Sequence, residues 1–311
     1  MKISENTKGS GMLVVTSMIW GVSFVAQDAG LRFVGPFFLN FARMLLGGVA
    51  LLPVVLFLNR RGQNGRSKAP FFTKDEKLGG FICGFLLFFS TALQQLGMSF
   101  YGQNDAAAGK SGFITAMYIV IVPIAGLFFK KRPALSVWVS VLLSFTGLYL
   151  LCFKGGSVNL LADGFVAGCA FSFSAHIMVV DHFSPKCNGL KLSMLQFFVA
   201  GLFSLCCFAL PSERALLTPA HIISALPYIA YLGVFSCVVA YTLQVVAQKR
   251  VTNATVASVL MSLESVFAAL TGALFGESMS PLQILGCAIM FAAVTLAQID
   301  FKALRPRNVA A

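Results

Sequence analysis

The chain has 311 residues, 58% of them hydrophobic and only 11% charged, against roughly 25% charged in an ordinary soluble domain. A mean hydropathy of +0.84 is more apolar side chain than a core surrounded by water absorbs; it implies an integral membrane protein and excludes a cytosolic enzyme, a secreted disulfide scaffold and a DNA-binding module. The net charge of +12 comes from basic residues set between apolar runs, which marks topology signals rather than nucleic-acid binding.

A hydrocarbon layer about 30 Å thick takes an apolar helix of about 20 residues. In chain order, ten segments qualify: 10–27, 36–58, 78–98, 105–128, 134–153, 161–180, 191–210, 225–247, 254–275 and 281–299. Gly, Pro, Asn and charged clusters separate them. The first lacks a small-residue cleavage site and is too long for a removable signal peptide, so it is expected to be retained.

Eighteen of the 23 Lys and Arg fall on one side of these crossings. They are Lys2, Lys8, Arg60, Arg61, Arg66, Lys68, Lys74, Lys77, Lys130, Lys131, Arg132, Lys186, Lys191, Lys249, Arg250, Lys302, Arg305 and Arg307. The other side holds Arg32, Lys154 and Arg214, while Arg43 and Lys110 lie inside segments. This bias predicts a multi-pass plasma-membrane protein with both termini cytoplasmic. Of the eight cysteines, all but Cys187 lie in apolar runs without CxxC or Cys/His spacing. They read as small buried residues, and neither a metal nor another cofactor is expected.

The chain also matches itself. At an offset of 153, Gly11 meets Gly164, Trp20 meets Phe173, Asp28 meets Asp181, Arg43 meets Gln196 and Gly48 meets Gly201. Past the long basic loop 59–77 the offset becomes 147, where Leu127, Phe128 and Leu135 meet Leu274, Phe275 and Leu282. Two five-span repeats follow, 1–155 and 156–311. Because five is odd, they enter the membrane in opposite senses, an arrangement that places a substrate site near the midplane at the repeat interface. Small residues four apart, Ala108 and Gly112, Ala268 and Gly272, Gly272 and Gly276, read as helix-packing positions.

Four stretches carry a family resemblance: MIWGVSFVAQDAG (18–30), NFARMLLGGVALLP (40–53), AAAGKSGFITAMYIVIVPI (106–124) and NATVASVLMSLESVFAALTGALFGESMSPLQILG (253–286). They resemble the EamA family of the drug/metabolite transporter (DMT) superfamily, over nearly the whole chain and as two repeats. The resemblance implies an all-α ten-helix bundle that moves small metabolites, often amino acids, with spans 1–4 and 6–9 lining a central cavity and spans 5 and 10 peripheral. The family's SLEP reads Ser262-Leu263-Glu264-Ser265 here. The missing proline predicts a straighter helix, and Phe173 in the place of Trp20 predicts that the two ends of the cavity differ.

Ionisable side chains at membrane depth cost roughly 2.5–3.5 kcal/mol on insertion scales unless paired or facing water. Arg43 lies about 10 Å and Lys110 about 9 Å below the outer face, at about 1.5 Å per residue. Either guanidinium or ammonium suits an anion, or else snorkels to the interface. Glu264 falls near the midplane and is expected to neutralise Lys110 or Arg43, or to carry protons. His176 is a second candidate proton site, or a satisfied buried histidine. Gln94, Gln196 and Gln244 offer neutral donors and acceptors. Trp20, Tyr118 and Tyr241 are candidate pocket walls, and Ser23 completes the candidate substrate-binding set.

The stretch NDAAAGKS (104–111) mimics a phosphate loop, but Asn104 replaces the first Gly and the segment opens a membrane helix, so no nucleotide is expected. The sequence contains no HExxH, and the roles a hydrolase needs do not assemble around His176. The expectation is a secondary transporter, an exporter of small polar metabolites such as amino acids, working by alternating access between inverted repeats, with the lipid bilayer and a small-molecule substrate as its partners. A passive channel or membrane scaffold is the alternative.

Overall fold

The computed structural model describes residues 4–62, 70–101, 107–131, 133–152, 159–215, 217–251, 253–274 and 280–297. Lys2, Arg66, Lys68, Asn104, Arg132, Lys154, Phe275, Gly276, Lys302, Arg305, Arg307 and the expected repeat boundary at 155 lie outside the described residues.

Among the described residues eight helices are long and apolar enough to cross a membrane, and two shorter apolar helices complete the ten spans of the two repeats. Span 1 is Glu5–Leu31, span 2 Pro36–Gly62, span 3 Lys74–Ser99, span 4 Ala107–Phe128 and span 5 Leu135–Cys152. Span 6 is Leu160–Phe183, span 7 Gly189–Phe208, span 8 Pro219–Gln248, span 9 Ala254–Leu274 and span 10 Pro281–Ala297. A short helix, Pro211–Ala215, precedes span 8. Spans start where the chemistry of helix ends predicts. Ser4, Thr73, Asn159, Asn188, Thr218 and Asn253 cap first turns through their side chains. Proline opens spans 2, 8 and 10.

The most extensive packing runs between repeats: span 3 with 6, span 5 with 10, span 2 with 7, span 3 with 7, and span 1 with 9. Replace each span by the one five places away and the contacts map onto one another. Span 3 with 6 becomes span 8 with 1, span 3 with 7 becomes span 8 with 2, and span 1 with 9 becomes span 6 with 4; all are present. The two repeats therefore interleave and share one interior. Hydrogen bonds cross the same seam, such as Ser90 Oγ to Ser172 Oγ at 2.8 Å, Tyr231 Oη to Ile19 O at 3.0 Å and Gln283 Nε2 to Leu151 O at 3.1 Å.

Three spans depart from regular α-helix. Span 4 breaks at Ala116–Met117 and span 9 at Ser262, equivalent positions to within one residue at the offset of 147. Span 9 corrects the expectation of a straighter helix, because serines do what the absent proline does elsewhere. Ser258 Oγ donates to Thr255 O and Ser262 Oγ to Val259 O, both at 2.8 Å. They compete for carbonyls the helix uses, and the backbone tightens to Ser265 N donating to Ser262 O at 3.2 Å. In span 8, Leu232–Tyr241 is a π-helix.

Lipid supplies no hydrophobic drive between helices, so close backbone approach matters. Spans 5 and 10 cross where a Cβ on Gly147 would stand 2.7 Å from Gly286 O. Spans 1 and 9 meet where a Cβ on Gly21 would stand 2.7 Å from Ala268 N. Of the small-residue positions read from the sequence, Ala268 makes such an approach, whereas Gly112 stands in ordinary contact with Phe24. Gly147→Ala is expected to lower stability by about 1–3 kcal/mol through overpacking, read as an earlier thermal transition in detergent. Gly164→Ala, with nothing within 4 Å, is expected to cause no loss.

Candidate functional site

The seam between the repeats holds a cavity of about 440 Å³. Its wall draws on seven spans. Span 1 gives Trp20, Ser23, Phe24 and Gln27, span 2 Arg43, span 3 Gln94, and span 4 Thr115 and Tyr118. From the other repeat come Phe173 and Ile177 of span 6, Ser236, Tyr241 and Gln244 of span 8, and Glu264 of span 9. Among the described residues spans 5 and 10 contribute nothing to it, and neither does span 7, which was expected to line it.

The repeat is legible in the wall itself. Trp20 and Phe173, and Phe24 and Ile177, are equivalent at the offset of 153, and Gln94 and Tyr241 at 147. Trp20 and Tyr241 lean on one another with ring centroids 4.7 Å apart.

Two ionisable residues face this space from opposite repeats. Arg43 is 2% exposed. Its Nε donates to Asn40 Oδ1 at 3.0 Å, and Asn40 Nδ2 donates in turn to Ser204 Oγ at 2.9 Å on span 7. Its Nη2 is buried without a hydrogen-bond partner among the described residues. Glu264 is 3% exposed and opens the second half of the broken span 9. Tyr118, first residue of the second half of the broken span 4, donates its hydroxyl to Glu264 Oε1 at 2.9 Å. The two interrupted helices thus meet through one buried bond, and Ser265 Oγ adds a second to Gly112 O at 3.1 Å. Trp20 Nε1 and Gln244 Oε1 are further buried polar atoms without a partner among the described residues.

Of the eleven residues named from the sequence, eight line the cavity: Trp20, Ser23, Arg43, Gln94, Tyr118, Tyr241, Gln244 and Glu264. Three do not. Lys110 is half-buried at the end of span 4 near Tyr101, its Nζ 5.1 Å from that ring centre. His176 and Gln196 are fully buried beside the cavity, where His176 Nε2 donates to Gln196 Oε1 at 3.1 Å. They are the repeat equivalents of Ser23 and Arg43, and their mutual bond keeps both out of the wall. Glu264, expected opposite Lys110 or Arg43, takes its hydrogen bond from Tyr118 instead. Phe24, Gln27, Thr115, Ile177 and Ser236 were not singled out by the sequence. Ser236 and Tyr241 share a face because π-helical i→i+5 bonding stacks residues five apart, and α-helical periodicity gives no sign of that.

Comparison with known proteins agrees with this architecture. The model of the EamA-like transporter family matches residues 7–153 and again 160–298. An uncharacterized transporter of Archaeoglobus fulgidus is 28% identical over 293 residues, covering 92% of this chain and 84% of that protein. The uncharacterized transporter YrdR of Bacillus subtilis is 30% identical over 161 residues, 50% of this chain and 46% of its own. A solved crystal structure superposes with a TM-score of 0.74 at 16% identity, covering 96% of this chain and 99% of the other, which shows a shared fold.

The Tyr118–Glu264 bond has a direct test. Tyr118→Phe leaves a buried carboxylate without its donor, which costs about 1–3 kcal/mol. Its thermal transition in detergent is expected to fall, and to fall less in a Glu264→Gln background, giving a coupling of roughly 0.5–3 kcal/mol. Equal melting of Tyr118→Phe and wild type would reject the bond.

Proposed function

From membership of the EamA-like transporter family, to which this chain belongs, we propose that it is a secondary transporter of small zwitterions, amino acids above all, working by alternating access at the seam of its repeats. The family lies within the DMT superfamily, and the chain is a multi-pass membrane transporter. The finer reading rests on one observation: the cavity holds a guanidinium from one repeat, a carboxyl from the other, and unsatisfied polar atoms of both kinds.

Arg43 Nη2 and Trp20 Nε1 are donors without acceptors, and a substrate carboxylate satisfies both. Gln244 Oε1 is an acceptor without a donor, and Glu264 Oε2 remains once Tyr118 occupies Oε1. An ammonium group satisfies those. Phe24, Phe173, Ile177 and Tyr241 then form the apolar wall for a side chain. A cavity walled by both inverted repeats favours a carrier that opens between them over a passive pore. Of the two candidate proton sites only Glu264 faces the cavity, so coupling to protons, where it occurs, is assigned to Glu264.

The distribution of basic residues supports cytoplasmic termini in the plasma membrane. Export is the proposed direction: cells making the protein should outgrow control cells under excess substrate.

Stabilisation of the purified protein against heat by amino acids, followed by counterflow in proteoliposomes, tests the substrate class. Arg43→Gln is expected to weaken binding of α-carboxylate compounds by about 30-fold or more, the cost of removing one partner of a buried charged pair. The same variant should leave the affinity for the matching decarboxylated amines unchanged. An equal effect on both series would refute a carboxylate at Arg43.

A further inference from the structure

Outside the cavity, two buried carboxylates each tie one repeat to the start of a span of the other, at opposite membrane faces. Glu213 lies in the short helix between spans 7 and 8, on the face away from the chain ends. It is 6% exposed. Its Oε2 accepts from the backbone N–H of Phe37 at 3.1 Å and of Phe38 at 3.2 Å, in the first turn of span 2. Span 2 begins after Gly35, which has no side chain to cap it, and Glu213 supplies the missing anion from the other repeat. Gly35 is required for this, since a Cβ there would stand 2.3 Å from Glu213 Oε2. Burial pushes the Glu213 carboxyl above the usual carboxylate range, opposed by the two backbone hydrogen bonds.

Glu76 lies in the first turn of span 3, on the face of the chain ends, and is 4% exposed. One oxygen closes its own capping box, with Thr73 N donating to Oε2 at 2.9 Å. The other crosses to repeat two, where Oε1 accepts from the N–H of Asn188, the N-cap of span 7, at 3.2 Å. Inverted symmetry exchanges span 2 with span 7, and the connection 2–3 with the connection 7–8. Glu213 on the start of span 2 is therefore the counterpart of Glu76 on the start of span 7. The two lie far apart in sequence register, 137 positions rather than 147 or 153, so the match is one of place and not of alignment.

Both bonds are made here, one at each membrane face. The geometry points to Glu213 and Glu76 as matched latches, one per membrane face, each released in turn for the cavity to open to its own side. Glu213 holds the turn next to Asn40 and Arg43, so release of the first turn of span 2 moves the side chain that meets the substrate. The assignment rests on the alternating-access reading above.

The test is side-specific labelling of a cavity thiol, Ser236→Cys, by a membrane-impermeant maleimide. It is run on intact cells and on inverted vesicles, with the parent chain subtracted and a terminal tag marking the face of the chain ends. Glu213→Ala should speed labelling about tenfold or more, and only from the face opposite the chain ends, as loss of its two hydrogen bonds to span 2 predicts. Gly35→Ala leaves Glu213 in the chain but evicts its carboxylate, and should act in the same direction. Glu76→Ala should act only from the face of the chain ends. Labelling that rises from both faces alike, rises from the wrong face, or stays unchanged in folded protein overturns the assignment. So does a Glu213→Ala chain that fails to fold while Gly35→Ala labels as wild type, because Glu213 would then be a fold-holding cap. Labelling needs no substrate, so a wild type that moves no amino acid would overturn the functional reading and leave this result standing.

Discussion

A bilayer offers no hydrogen bonds, and every polar group at membrane depth must find a partner inside the protein or face enclosed water. Nearly everything particular about this chain answers that constraint. Arg43, Glu264, His176 and buried glutamines such as Gln27, Gln94, Gln95, Gln196 and Gln244 stand at depths where lipid cannot serve them. They are tolerated because ten helices interleave around a shared interior. Had each repeat folded as its own five-helix bundle, Arg43 and Glu264 would sit in separate cores. The preference for contacts between repeats over contacts within them is what places both on one cavity.

Helix irregularity follows from the same demand. A regular span satisfies its own backbone and presents one face at a fixed period. Spans 4 and 9 give up that regularity near the midplane, and the residues that restart each helix, Tyr118 and the Leu263–Glu264 pair, are where the side chains of the two repeats bond. Broken helices are tolerated in a membrane where they line a cavity or are covered by protein, and both conditions hold here. The π-segment of span 8 is the third departure, and it sets Ser236 and Tyr241 on the cavity together.

Much of this was legible in the sequence because the governing terms are large. A 20-residue apolar requirement marks spans clearly, and the cost of a buried charge singles out Arg43 and Glu264 among 311 residues. What stayed hidden depends on small energies or on partners. Lys110 carries the same charge as Arg43, yet its long stem reaches the aromatic ring of Tyr101 at the helix end. His176 and Gln196 have the right depth but bond to each other, and spacing in the chain does not reveal that 3.1 Å bond. Phe24 and Ile177 disappear among many apolar neighbours, with 31 Phe in the chain. The break at Ser262 arises from hydroxyls competing for carbonyls, an effect that the loss of a proline seemed to remove.

Duplication makes two halves alike, and binding a polar cargo depends on where they have diverged. At apolar wall positions the repeats kept comparable residues, Trp20 with Phe173 and Phe24 with Ile177. At polar positions they did not. Ser23 and Arg43 remained open to the cavity, whereas His176 and Gln196 turned to each other. Glu264 has Met117 as its counterpart. A perfectly symmetric pair of repeats would have set two guanidinium groups, or two carboxylates, across one small space, and like charges at such range in a low dielectric repel strongly. Divergence gave the cavity one basic and one acidic group, and with them a direction that a symmetric chamber lacks. Under the proposed reading that direction orients a zwitterion, while the inherited symmetry supplies the two equivalent ways of opening around it.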